Sequence, residues 1–167
     1  MQGYIGFSCE PEGFSSKFIR WFTRSSASHS FIFYDDKIIL EAASITVQAE
    51  SIAQFKKDDI ILYAFKINQD PAILQKALEN AVNLLGIPYD YCNLIGMGIV
   101  KLVDVLTHIK IKNPLDKREF YQCSEYLLKY LLDSQIPIKI EDKKYVYPQL
   151  LIDFCKSRPD LFIPIEV

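Results

Sequence analysis

The chain has 167 residues, half of them hydrophobic, and a net charge of −2. That length suits one domain, residues 1–167, burying about two-thirds of its unfolded surface, and the near-neutral charge supplies no basic face of the kind that nucleic acid demands. Ten Tyr and eleven Phe against six Gly exclude a disordered or fibrous chain.

In chain order, Met1 to Ser8 shows no basic segment ahead of an apolar run, so no signal peptide is expected and the cytoplasm is the default location. Between Gly13 and Arg24, Phe14, Phe18, Trp21 and Phe22 recur at helical spacing, with Ser15, Lys17, Arg20 and Arg24 on the other positions. This predicts a short helix packed by its aromatic side on a sheet. Ser28–Tyr34 and Lys37–Ala42, separated by Asp35 and Asp36, predict a β-hairpin. Ile45–Ala49 and Ile60–Ile67 are further strand candidates joined by a polar segment, Glu50 to Asp59, giving four or five strands in all.

Asp70 as N-cap and Pro71 as first helical residue open a helix with Ile73, Leu74, Ala77, Leu78, Ala81 and Leu85 on one stripe, ended by Gly86. Further helices are expected from Asp90 to about Leu106, over Tyr121–Leu132, and from near Pro148 to before Pro159. The most apolar stretch, Asn93 to Leu106, contains Lys101 and Asp104 and is shorter than the roughly 20 residues that cross a bilayer. No integral membrane segment follows. Strands followed by helices predict an α+β fold, a small antiparallel sheet or half-barrel with helices packed against it.

Cys9, Cys92, Cys123 and Cys155 include no Cys-x-x-Cys pair, and the histidines are His29 and His108. Neither a metal centre nor a cofactor is expected, and the cysteines are expected as free thiols. Cys123 falls where a turn-like segment gives way to helical periodicity, in the first turn of a helix. Unpaired amides and the helix dipole there favour a thiolate, and the same amides suit an oxyanion; the ordinary alternative is a small buried hydrophobe. Cys92 is the rival thiol, also early in a helix but among core-like neighbours.

A nucleophilic thiol needs a base. His108 lies at a helix end beside lysines, where a solvated ring is the ordinary reading. His29 heads a hydrophobic strand, a rigid mount for a polar ring. A three-residue hairpin loop, Asp35-Asp36-Lys37, pairs Tyr34 with Ile38 and Phe31 with Glu41, which sets Glu41 diagonally from His29 at about 7–8 Å. A two-residue loop would put the two on opposite faces.

Four segments in this order then resemble the circularly permuted branch of the NlpC cell-wall peptidase superfamily, of YiiX/YaeF type. They are the FIRWFT helix leading into Ser28-His29-Ser30, the strand Ile38 to Ala42, Leu85-Gly86-Ile87-Pro88-Tyr89-Asp90, and Phe120-Tyr121-Gln122-Cys123-Ser124-Glu125. The resemblance implies a papain-like fold in which histidine and acid precede the cysteine. It implies Cys123 as nucleophile, His29 as base, Glu41 as the residue fixing the imidazole, and Tyr89 as a substrate-side donor to the oxyanion. Tyr147 to Leu150 resembles the family's late proline-started helix, whereas residues 93–113 match no family motif. The expected activity is hydrolysis of an amide, peptide or isopeptide bond through a thioester. Transfer or hydrolysis of lipid-like acyl groups, as in relatives of lecithin:retinol acyltransferase arrangement, and a non-catalytic ligand-binding module are the alternatives. The sequence shows no hydrophobic anchor beside the site, which favours the peptidase.

Overall fold

The computed structural model describes residues 1–43, 45–88, 122–138 and 146–167. Six strands, β1 (Ile5–Cys9), β2 (His29–Phe33), β3 (Ile38–Ala43), β4 (Thr46–Ser51), β5 (Ile60–Ile67) and β6 (Phe162–Pro164), form one open antiparallel sheet in the order β4-β3-β2-β1-β5-β6. Five helices accompany them among the described residues: α1 (Phe14–Thr23), α2 (Ile52–Asp58), α3 (Pro71–Val82), α4 (Cys123–Asp133) and α5 (Pro148–Ser157). The fold is α+β. The helix expected over 90–106 lies outside the described residues.

The main core joins Ile5, Phe7, Ile32, Leu40, Phe65 and Ile67 of the sheet to Leu78 of α3, Tyr126, Leu127, Tyr130 and Leu131 of α4, and Leu151 and Ile152 of α5. Two buried phenols are satisfied within it: Tyr126 donates to the Ala81 carbonyl at 3.0 Å and Tyr130 to the Gly3 carbonyl at 2.8 Å. Buried hydroxyls need such partners, and these two also fix α4 against α3 and against the start of β1. A smaller core gathers Phe31, Phe33, Ile39 and Ala64 of the sheet with Ile52 and Phe55 of α2.

Four elements differ from the sequence expectation: β6, a three-residue strand absent from it, and β1, α2 and α1. β1, absent from the expected strands, is paired on both sides with every residue buried. Its Gly6 lies beneath the Phe31 ring, so closely that a Cβ there would run into the ring. The polar segment 50–59 is not a loop: β4 continues to Ser51, whose hydroxyl accepts from the Gln54 N–H at 3.2 Å and caps α2. Ile52 and Phe55, three apart, then turn inward.

α1 forms where expected but faces the other way. Phe14 is 86 % and Trp21 76 % exposed, and Ser16 is the helix's buried residue. Helical spacing separates an apolar from a polar side without saying which is inward. Here the buried hydroxyls of Ser16 and Ser28, 2.6 Å apart, tie the polar side to the start of β2 and leave the aromatics outside.

Candidate active site

The β2–β3 hairpin closes as the three-residue loop requires: Tyr34 N–H donates to the Ile38 carbonyl at 2.9 Å, and Phe31 stands opposite Glu41. Asp35 stabilises the loop by accepting from the Lys37 and Ile38 amides at 2.6 and 2.8 Å. His29 and Glu41 therefore share a face, and His29 Nε2 lies 2.7 Å from Glu41 Oε2. The other carboxylate oxygen accepts from Gln48 Nε2 at 2.8 Å, a residue directly across from Glu41 on β4. The imidazole packs against Phe31 and Phe55, with ring centroids 6.4 and 6.1 Å away. α2, read in the sequence as a polar connection, thus supplies a wall of the site.

Cys123 is the first residue of α4 and is 6 % exposed. Burial by itself disfavours its thiolate, but hydrogen bonding and charge from His29, a backbone hydrogen bond from Ser30 and the Ser124 hydroxyl bring the thiol below its ordinary range. His29 responds in the opposite sense. Burial disfavours its charged ring, yet hydrogen bonds and charge from Cys123 and Glu41 outweigh this and raise it well above 6.5. Glu41 is pushed up by burial and pulled down further by His29 and Gln48, ending below the usual carboxylate range. Because Glu41 occupies Nε2, Nδ1 is the ring nitrogen left for the sulfur. Cys123 and Glu41 thus act on the same ring, and both favour its charged form.

Gln122, the N-cap of α4, is a residue the sequence reading did not single out. It forms a reciprocal capping box with Glu125, its backbone N–H donating to Glu125 Oε2 at 3.0 Å. Its side-chain Nε2 is buried without a partner among the described residues. The Gln-x-x-Glu spacing was the available signal, one that marks a helix start rather than a chemical role.

A cleft of about 460 Å³ opens beside the imidazole, with Ser15 and Ile19 of α1 on one side and Asp58 and Asp59 at the end of α2 on the other. Asp59 accepts from the Ser8 hydroxyl at 2.7 Å. Glu50, also in the lining, is held above the usual carboxylate range by burial and by the neighbouring Glu41 charge.

Cys155 has no such setting, and burial drives its thiol far above the ordinary range. Tyr89, His108 and Cys92 lie outside the described residues. Among the described residues no three His, Cys, Asp or Glu side chains gather as a metal site, and no helix is long and apolar enough to cross a membrane.

No protein-family model matches the chain, and no curated protein matches it. In fold, the chain is similar to a crystal structure described as metalloprotein YiiX from Escherichia coli O157:H7, DUF1105, with a TM-score of 0.53 and 18 % identity, covering 99 % of this chain and 96 % of that one.

Proposed function

We propose that this protein is a cysteine hydrolase of the permuted, papain-like NlpC type, cleaving an amide, peptide or isopeptide bond through a thioester. The observation that carries this reading is the 2.7 Å His29–Glu41 pair joined to a cysteine whose thiol is lowered as the ring is raised. In the proposed first step the Cys123 thiolate attacks the carbonyl carbon while the thiol's proton resides on His29. Collapse of the tetrahedral adduct breaks the C–N bond, and His29 passes that proton to the leaving amine. Water, deprotonated by His29, then attacks the thioester, releasing the acid and returning the thiol. Glu41 holds the ring in one tautomer and stabilises its charge. The Cys123 backbone N–H and Gln122 Nε2, which has no partner among the described residues, are the donors assigned to the oxyanion. A reactive free thiol suits a reducing compartment such as the cytoplasm.

The YiiX structure is described as that of a metalloprotein. The described residues here do not fit that role: Glu41 engages Nε2 of His29, and among the described residues no three His, Cys, Asp or Glu side chains are placed to hold a metal ion. No step is routed through a metal.

A second reading, transfer of the acyl group to an amine or alcohol acceptor, gains support from the outward aromatic side of α1 beside the cleft. The sequence alone does not display this anchor, because helical spacing leaves open which side of α1 faces outward.

Alkylation tests the site without a known substrate. Iodoacetamide is expected to modify Cys123 at pH 6 at least roughly ten-fold faster than a free cysteine, with the advantage lost in His29→Ala. A Cys123 no faster than free thiol at every pH would refute the catalytic assignment. Ping-pong kinetics with an added amine would identify the transferase.

A further inference from the structure

Phe14, Phe18 and Trp21 follow one another at i, i+4 and i+7, so they form one stripe along α1. They are 86, 39 and 76 % exposed. Ser16, buried, projects from the opposite side, and the stripe therefore points straight away from the body of the protein. The rings are already assembled: Phe18 lies 6.2 Å from Trp21 and 5.9 Å from Phe22, centroid to centroid. Leaving such a patch in water is unfavourable, at about 25 cal/mol for each Å² of apolar surface.

The helix itself carries charge of one sign, with the carboxylates of Glu10 and Glu12 confined to the turn ahead of its first residue. α1 and its C-cap carry Lys17, Arg20 and Arg24 and no acidic residue, in a chain whose net charge is −2. Lys17 and Arg24 border the aromatics directly, whereas Arg20 sits lower and is half-buried. Lys17 meets Glu12 at 3.1 Å, but both side chains are exposed and such a pair holds the ammonium weakly.

We propose that α1 docks the protein on an anionic phospholipid surface, with Phe14, Phe18 and Trp21 entering the headgroup–acyl boundary and Lys17 and Arg24 against the phosphates. Aromatic side chains on one side of a helix bordered by cations are the pattern of helices that lie in that boundary. The shape points the same way. The rings stand out from a convex helix, which a deformable bilayer accommodates and a rigid protein surface matches only with a dedicated groove. The neighbouring side of α1, through Ser15 and Ile19, lines the cleft, whose carboxylates Glu10, Glu50, Asp58 and Asp59 lie away from the stripe's cations, so docking sets the cleft beside the lipid surface. If the hydrolase reading holds, the acyl group it attacks is carried on a lipid; that clause rests on the hydrolase reading, while the docking does not.

Trp21 is the only tryptophan in the chain and reports directly. Full-length protein is mixed with vesicles of phosphatidylcholine, with or without phosphatidylglycerol, and followed by Trp21 emission and co-sedimentation. The expected result is a blue shift and sedimentation with the phosphatidylglycerol vesicles, weaker with phosphatidylcholine alone and falling as salt rises. Phe14→Ser with Phe18→Ser should lower partitioning roughly ten-fold or more, and Lys17→Glu with Arg24→Glu should abolish the preference for phosphatidylglycerol. These side chains lie outside the proposed catalytic group, so iodoacetamide should label Cys123 in both variants at the unaltered rate, which also verifies folding.

Unshifted Trp21 emission with both vesicle types overturns the proposal. So does Trp21 already shielded from iodide in the free protein, which would mean that the chain or a second copy covers the stripe. Full sedimentation of the double serine variant does the same. Cys123→Ser should bind vesicles as well as the unaltered chain. Failure of docking with fast alkylation intact removes the lipid surface alone, and slow alkylation with docking intact removes the hydrolase alone.

Discussion

Cys123 and His29 each owe their shifted titration to the other, which makes the pair open to a direct test. Burial pulls the His29 ring down, and interactions with Cys123 and Glu41 pull it up. Cys123→Ala should therefore lower the ring's pKa, observed by NMR titration of the imidazole, while Glu41 continues to hold it in part. Glu41→Gln keeps a polar side chain of the same size but removes the charge, and roughly a 10²-fold loss of acylation rate is expected. The linked stability has a definite sign. The gain from protonated His29 is complete below about pH 6.5 and is lost as pH rises through the raised folded value. Glu41 acts inversely: its gain is present above about pH 4.3 and lost as pH falls through its lowered value. Thermal melts of the unaltered chain and Glu41→Gln should thus differ most between these limits and converge at the acid end. For Gln122, acylation by p-nitrophenyl acetate develops an oxyanion whereas alkylation by iodoacetamide does not. Gln122→Ala is expected to slow the first by roughly 10²-fold and leave the second unchanged.

Elements differ in how openly the sequence displays them. The hairpin was legible because Asp35 and Asp36 mark a turn and side chains alternate along strands, so one loop length decided whether His29 could reach Glu41. The orientation of α1 was not legible. Its spacing is that of a core helix, and the choice rests on a Ser16–Ser28 contact between residues twelve apart. α2 was hidden by composition, since Lys56, Lys57, Asp58 and Asp59 outweigh the two inward residues Ile52 and Phe55. β1 was hidden by Gly6 and Ser8, small residues whose place in a central strand makes sense only once Phe31 is seen lying on Gly6. Gly6→Ala should force that ring aside, costing about 1–3 kcal/mol in urea unfolding. It should also slow Cys123 alkylation, because Phe31 in turn packs on His29.

At the scale of the whole molecule, the sheet is completed from the far end of the chain. β6 pairs with β5, and Phe162 is buried against Phe65 and Phe154, with centroids 6.4 and 5.7 Å apart. Phe162→Ala is expected to cost about 3–5 kcal/mol, read from the urea midpoint, although it lies on the other side of β1 from His29. Three residues with one buried ring give almost no local signal for a strand, and β6 is held by tertiary contact rather than propensity. The α+β layering, by contrast, was legible from the order of apolar patterns along the chain.

The hairpin that joins His29 to Glu41 is a purely local unit, whereas Cys123 arrives on a helix from the last third of the chain. A ribosome building this protein therefore releases the imidazole and its carboxylate well before the sulfur exists, and an interrupted product carries the proton relay with nothing to activate.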